Sequence, residues 1–295
     1  MTKGVIFFII KIDMSKIFVD ETIDFPLDEL KAVKPVFVDT LVCIGGEVKR
    51  KLSASALADA VKKNKDAKIY QLSCDEIVEI FEPTLKSGEN VLYIACSANF
   101  SSAYKNFKEA EEKLKQLYPN QTITKVEANT FSLPVGYLAY FAHRMLNEGV
   151  SDAEIKRILD GHKCKKYLLL VLDDISMLKN HKMLNFEVLS GGQSLNVNQI
   201  LFVDKRGKFV KHSQVVGDKR AIKAVSTMLQ ELGRNIADHR IGIVYSEAEN
   251  IALSLKEELS KLFDTDKHDM VKTNKIVGSF IGKGFVGISF NGKIR

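Results

Sequence analysis

The sequence predicts an α/β protein of two domains: a mainly parallel sheet with covering helices over residues 14–163, and an α+β unit over residues 164–295. Three observations carry this. The chain has 295 residues, more than one hydrophobic core usually serves. Short apolar runs alternate with helically spaced segments through the first half, the pattern of βα units around a parallel sheet. After Lys163 the alternation gives way to paired strands and long amphipathic helices.

In chain order, residues 16–19 read as a strand ending in DETIDFP. A helix over LDELKAV follows, with Asp24 as its N-cap and Pro26 in its first turn. PVFVDTLVCIGG reads as a strand, ALADAVKKNK as a helix, and KIYQLSCDEIVEIFE as a strand running into a helix that Pro83 ends or kinks. NVLYIACSANFSSAYKNFKEAEEKL is the central unit. Its residues 91–96 form the unbroken apolar run of a strand buried on both faces, and helical spacing begins at Ala103. TKVEANT is a strand, SLPVGYLAYFAHRMLNEG a helix stopped by Gly149, and SDAEIKRILDG a helix with a Ser151/Glu154 capping box and Gly161 as C-cap.

In the second half YLLLVLD is a strand, SMLKNHKMLNFEVLSG is helical, and SLNVNQILFVDKRGKFVKHSQVV is a strand pair joined at DKRG. KRAIKAVSTMLQELGRN and EAENIALSLKEELSKLF are helices on either side of the strand RIGIVYSE. The closing KIVGSFIGKGFVGISF reads as strand, glycine loop, strand.

Hydrophobic residues at 45% and charged residues at 27% are those of an ordinary globular protein, which sets disorder aside. The net charge of +6 is spread along the chain. Without a basic tract interleaved with aromatics, nucleic acid is not an expected partner. Cys43, Cys74, Cys96 and Cys164 form no CxxC pair, and only His162 lies close to one of them. That spacing argues against a metal site and a disulfide framework, and for a reducing cytoplasm. The apolar run in MTKGVIFFIIKIDM is too short to span a bilayer and lacks a small-residue cleavage site, so neither membrane insertion nor a signal peptide is expected. Residues before Met14 read as an extension outside the fold.

Candidate chemistry is sparse. The turn after Cys96 holds Ser97, Asn99, Ser101 and Ser102. Their polar side chains, with the free N–H groups of a helix start, either bind a carboxylate or phosphate or simply cap the helix. Asp20, Thr22 and Asp24 sit at the carboxyl end of the first strand, where ligands of open parallel sheets bind. Their DxTxD spacing is not the DxDxT of aspartyl-phosphate enzymes, and no base or metal cluster accompanies them, so capping by Thr22 and Asp24 is preferred to catalysis. Gly282, Gly284 and Gly287 spell GxGxxG, but a dinucleotide fingerprint must open a helix, and here a strand follows. The glycines instead let a loop turn and bring its backbone close to a neighbour. His143 reads as a packing residue. Lys179, His181 and Lys182 read as a solvated basic turn, open to an acidic partner.

Taken together, the segments from about Lys16 to Phe290 resemble the DegV family of bacterial fatty-acid-binding proteins. The family pattern DSTADLP matches DETIDFP, and TSQPS falls on IYQLS, keeping Gln71 and Ser73. ISSGLSGTY matches CSANFSSAY, keeping Ser97, Ser101 and Tyr104; DSKSASMGLG matches EANTFSLPVG, keeping Ser132 and Gly136. LLNIKPIL falls on SLNVNQIL, keeping Leu195 and Asn196, and HVGPGTVGI falls on FIGKGFVGI.

The resemblance implies a two-domain DegV-like fold and a non-catalytic protein without cofactor. It also implies a long-chain fatty acid held in an internal tunnel, its carboxylate presented to a separate fatty acid kinase. The ligand-binding residues it implies are Gln71, Ser73, Ser97, Ser101, Asn196, Phe280, Gly282 and Gly284. Phe131, Leu133 and Tyr137 are expected to line an apolar channel that passes Ser97 and reaches the glycine loop. This chain departs from the pattern at three positions: the family's head-group threonine falls on Ile69, its loop histidine on Phe280 and the arginine of its GGRI element on Met183. The alternative expectation is a divergent paralogue with lost or altered ligand binding that acts as an interaction or scaffold protein.

Overall fold

The computed structural model describes residues 15–49, 53–64, 66–181, 183–184 and 197–295. The chain opens with β1 (Lys16–Asp20), α1 (Leu27–Val33), β2 (Val36–Val38), β3 (Val42–Ile44), β4 (Glu47–Lys49), α2 (Ala54–Lys63) and β5 (Lys68–Ile69). It continues with α3 (Cys74–Lys86), β6 (Val91–Ala95), α4 (Phe107–Leu117), β7 (Ile123–Glu127), α5 (Leu133–Asn147) and α6 (Asp152–Lys163). The second half holds β8 (Lys166–Leu172), α7 (Ser176–Asn180), β9 (Val197–Val203), β10 (Phe209–Val216) and α8 (Asp218–Leu232). It ends with β11 (Ile241–Ser246), α9 (Glu249–Phe263), β12 (His268–Lys272), α10 (Lys275–Ile281) and β13 (Phe285–Asn291).

Four strands in the order β2-β1-β6-β7 form a wholly parallel sheet. Six in the order β10-β9-β8-β13-β11-β12 form a second sheet, antiparallel except between β11 and β12. A small antiparallel sheet, β4-β3-β5, stands apart.

Strand alternation sorts the apolar side chains into layers. Phe18, Val91 and Tyr93 pack with α3 and α4, where Phe18 stacks on Phe81 at 4.6 Å. Their neighbours Ile17, Val19, Leu92 and Ile94 point the other way, toward α5. From the second sheet, Leu168, Leu170 and Leu172 meet α5, whereas Tyr167, Leu169 and Val171 pack with α8 and α9. Each such side chain contributes about 1.5–3 kcal/mol when fully buried. The result is helix, sheet, helix, sheet, helix, with α5 as the shared central layer touching both sheets.

Several elements differ from the sequence expectation. PVFVDTLVCIGG divides at Asp39 and Thr40, so that Val36–Val38 joins the parallel sheet and Val42–Ile44 the small one. The α3 helix runs one turn past Pro83, and α6 runs through Gly161, which a favourable local context tolerates. KIVGSFI is the helix α10, not a strand: Asn274 caps it by accepting from Ile276 and Val277 N–H, and Ile276, Val277, Phe280 and Ile281 share its buried face. Short β4 and β12 were not anticipated. Of SMLKNHKMLNFEVLSG only Ser176–Asn180 is helical among the described residues.

Asp24 does not cap α1, whose N-cap position is held by Pro26 without a side-chain bond. It is the junction of the two sheets. Its carboxylate accepts from Ser132 Oγ at 2.6 Å, Thr273 Oγ1 at 3.2 Å and the Asn274 N–H at 2.6 Å. Asn274 returns a bond to the Ile23 carbonyl at 2.9 Å. One carboxylate so joins β1, α5 and the start of α10.

Burial pushes the Asp24 carboxyl up to about 6 from 3.8, against the opposing pull of these hydrogen bonds. The folded protein therefore holds this proton to higher pH than the unfolded chain does. The stability it confers is complete below about pH 4 and declines as pH rises to about 6. In urea denaturation, wild type is expected to lose about 2 kcal/mol more than Asp24→Asn between pH 4 and pH 7. Parallel profiles would contradict this.

Candidate functional site

The loop between β6 and α4 is braced from below by buried acids and hydroxyls. Asp20 accepts from Tyr93 Oη at 2.8 Å, the Cys96 N–H at 2.7 Å and Ser101 Oγ at 3.0 Å. Burial raises its pKa to about 6, while these bonds hold it down. The Thr22 hydroxyl donates to the Phe100 carbonyl at 2.5 Å. Both polar groups thus hold the loop; neither caps α1. Gln71 clamps it from the side, donating to the Ser101 carbonyl at 3.0 Å and accepting from the Lys105 N–H at 3.2 Å. Ser73 is the N-cap of α3 in a complete capping box with Glu76. Gln71, Ser73 and Ser101 are therefore committed to partners within the protein.

Ser97 is different. Its backbone is engaged, the N–H donating to the Thr130 carbonyl and the carbonyl accepting from Phe100, both at 2.8 Å. Among the described residues its buried Oγ has no partner, and neither has that of Thr130 beside it. An unpartnered buried hydroxyl costs about 1–3 kcal/mol, so such a pair is matched to a polar ligand group or a water. Thr130 lies in the segment matched by EANTFSLPVG but carried no signal of its own. Across from Ser97 the β9–β10 turn approaches so closely that a Cβ on Gly207 would lie 2.7 Å from the Ser97 Cβ.

The surroundings are apolar. Phe100 and Phe131 stack at 3.9 Å, and Phe209 meets them edge-on at 6.3 and 5.6 Å. Leu133 and Tyr137 press on β11, where a Cβ at Gly242 would lie 2.9 and 2.6 Å from them. Of the side chains expected to line a channel, Phe131 is thus in close contact with Phe100 and Phe209, and Leu133 and Tyr137 with the second sheet.

The glycine loop lies elsewhere on the same core. Phe280 is fully buried, its ring 5.0 Å from that of His181, and so forms a wall of the core. Gly282 and Gly284 have φ of +111° and +77°, and a Cβ at Gly284 would lie 2.9 Å from Asp173 Oδ1. Both glycines line a cleft of about 470 Å³ bounded by α2, α7 and α10. Its rim is charged, with Asp59, Lys62, Asp173, Asp174, Glu247 and Lys283. Asn196 lies outside the described residues. His181 is not in a solvated turn: it is half-buried and bonded to the Ala67 carbonyl. Among the described residues there is no group of three or more side chains placed to hold a metal ion, and no helix is long and apolar enough to cross a membrane.

A family model described as "Uncharacterised protein, DegV family" matches residues 14–293. The chain belongs to the DegV family. A DegV domain-containing protein of Clostridium perfringens is 24% identical over 284 residues, covering 95% of this chain and 98% of the relative. In structure, a DegV family protein of Eubacterium eligens loaded with heptadecanoic acid superposes with a TM-score of 0.81 at 17% identity. The Streptococcus pneumoniae fatty acid kinase B3 protein loaded with linoleic acid gives 0.80, also at 17% identity. Each of these two comparisons covers 95% of this chain and 100% of the other. The mixed α/β architecture is thus that of DegV proteins.

Because Ser73 and Glu76 exchange bonds at a helix start, Ser73→Ala is expected to lower stability by about 1 kcal/mol in chemical denaturation. A loss below about 0.3 kcal/mol would show that the cap contributes little.

Proposed function

We propose that this protein is a cytoplasmic, non-catalytic carrier that binds a long-chain fatty acid, needs no cofactor, and presents the bound acid to a separate fatty acid kinase. The observation that carries this reading is the pair of unpartnered hydroxyls, Ser97 and Thr130, buried at the edge of an apolar layer between two sheets. Hydroxyls there suit a carboxyl head group, and the layer suits an acyl chain, which gains about 0.8 kcal/mol per buried methylene. The ligands of the Eubacterium and Streptococcus relatives support the same chemistry. A chain passing Phe131, Leu133 and Tyr137 requires the Phe100, Phe131 and Phe209 rings to swing aside. The proposed division into two domains near residue 164 puts the head group at their junction.

The close contact of those three rings favours a second reading, a family member with altered ligand binding that serves as an interaction protein. Organic extraction of the purified protein followed by mass spectrometry separates the two. Stoichiometric fatty acid supports carriage; an empty protein that also fails to take up added oleic acid supports the second.

Two further outcomes are expected. Ser97→Ala weakens acid binding by about 1.5–3 kcal/mol, the range for a hydrogen bond to a charged group; unchanged affinity would remove Ser97 from the head-group site. Met183, half-buried against the core, cannot make the bidentate contacts of the family arginine with a phosphoryl group or partner. Acyl phosphorylation by a family kinase is therefore expected to be slow, and turnover matching an arginine-bearing relative in the same assay would refute this.

A further inference from the structure

Lys166 opens β8, and its side chain leaves on the face of Leu168 and Leu170, which meets α5. Its Nζ lies over the ring of Tyr137, 5.4 Å from the centroid. One turn further along α5, Phe141 meets His162 edge-on at 5.8 Å. Lys166 and His162 are thus held against one stripe of α5. His239, in the segment leading into β11, comes close enough to interact electrostatically with both.

No acid answers this group of nitrogens. Among the described residues Lys166 Nζ has neither a hydrogen-bond acceptor nor an acidic partner, and its aromatic neighbour is its one close polar contact. Asp269, bonded to the same Tyr137, is taken up by that hydroxyl and by Arg240, which also holds Glu29. Asp238 favours the charged form of His239, but Lys166 and Lys267 oppose it, as Lys165 and Lys166 do for His162. Lys166 is partly buried rather than sealed, and burial without a counter-charge pushes its ammonium down to about 8 from 10.5. At pH 7.5 about a quarter of such amines carry a free lone pair, against about one in a thousand for an ordinary lysine.

A desolvated amine among other basic groups is the setting that activates a lysine as a nucleophile. The surrounding positive charge also selects the electrophile, because it draws in an anionic acyl donor and favours departure of an anion. We propose that Lys166 is a modification site that accepts the acyl group of an acyl phosphate. The Nζ lone pair bonds to the carbonyl carbon, the bond from that carbon to the bridging oxygen breaks, inorganic phosphate leaves with both electrons, and the nitrogen sheds a proton to water. The amide so formed is neutral and removes the cation from the Tyr137 ring. This site is separate from the Ser97 turn and does not depend on fatty-acid binding.

The test uses the full chain, acetyl phosphate as probe and peptide mass spectrometry to follow each lysine. At pH 7.5 Lys166 is expected to be acetylated about tenfold or more faster than exposed lysines such as Lys86 and Lys219. Its rate should level off above about pH 8, whereas theirs keep rising through pH 9.5. His239→Glu, at an exposed position, sets a carboxylate beside the amine and should slow Lys166 about threefold or more without changing Lys86. Thermal melts confirm that this variant folds. Equal rates at Lys166 and Lys86, a Lys166 rate still climbing between pH 9 and pH 10, or an unchanged rate in folded His239→Glu would each overturn the proposal.

Discussion

The carboxylate of Asp24 is the constraint on which the two halves depend. It leaves the end of the first strand fully buried and gathers a hydroxyl from the start of α5, another from Thr273 and the backbone of Asn274. Those bonds place the helix that forms the central layer and, 250 residues later in sequence, the cap of α10. Gly136 allows the same closeness one turn into α5, since a Cβ there would lie 2.7 Å from the Asp24 carbonyl oxygen. A second clasp joins the far side: Tyr137 Oη donates to Asp269, which pairs with Arg240, and Arg240 also pairs with Glu29 of α1. Asp24 and Asp269 are buried and costly to desolvate, whereas Arg240 is exposed, so this clasp defines one arrangement of the sheets more than it adds net stability.

Once α5 is fixed, the rest of the site follows from packing. Phe100, Phe131 and Phe209 come from three segments and meet only because the β9–β10 turn reaches across to the loop after β6. Glycine at 207 is required there by both its φ of +74° and the approach to Ser97. Asp20, Thr22 and Gln71 hold that loop in shape through the Ser101 hydroxyl and the Phe100 and Ser101 carbonyls. What remains unsatisfied is correspondingly informative, because a protein interior leaves few buried polar atoms without partners.

The organisation of the first half was legible in the sequence, since unbroken apolar strands alternating with amphipathic helices admit few arrangements other than a covered parallel sheet. The hairpin at DKRG and the long helices α8 and α9 were legible for the same reason: their periodicity is set by which face meets the core. KIVGSFI was not. Its branched residues and glycine suit a strand locally, and only the cap by Asn274, itself held by Asp24, and the burial of one helical face decide for α10. The site residues divide similarly. The position of Ser97 at a strand end could be read from the pattern around it, whereas the roles of Ser73 as a cap and Gln71 as a clamp depend on partners brought in by the fold.

By itself, the sequence determined the βα order of the first half, the family and the presence of a polar turn after an apolar central strand, because periodicity and motif order are local properties of the chain. Only the tertiary structure decided which polar atoms are spent and which are left over. Thr130 carries no local signal, and a hydroxyl becomes significant only when the surrounding segments exclude water and supply no partner. That depends on contacts between residues far apart in the chain, which local periodicity does not encode.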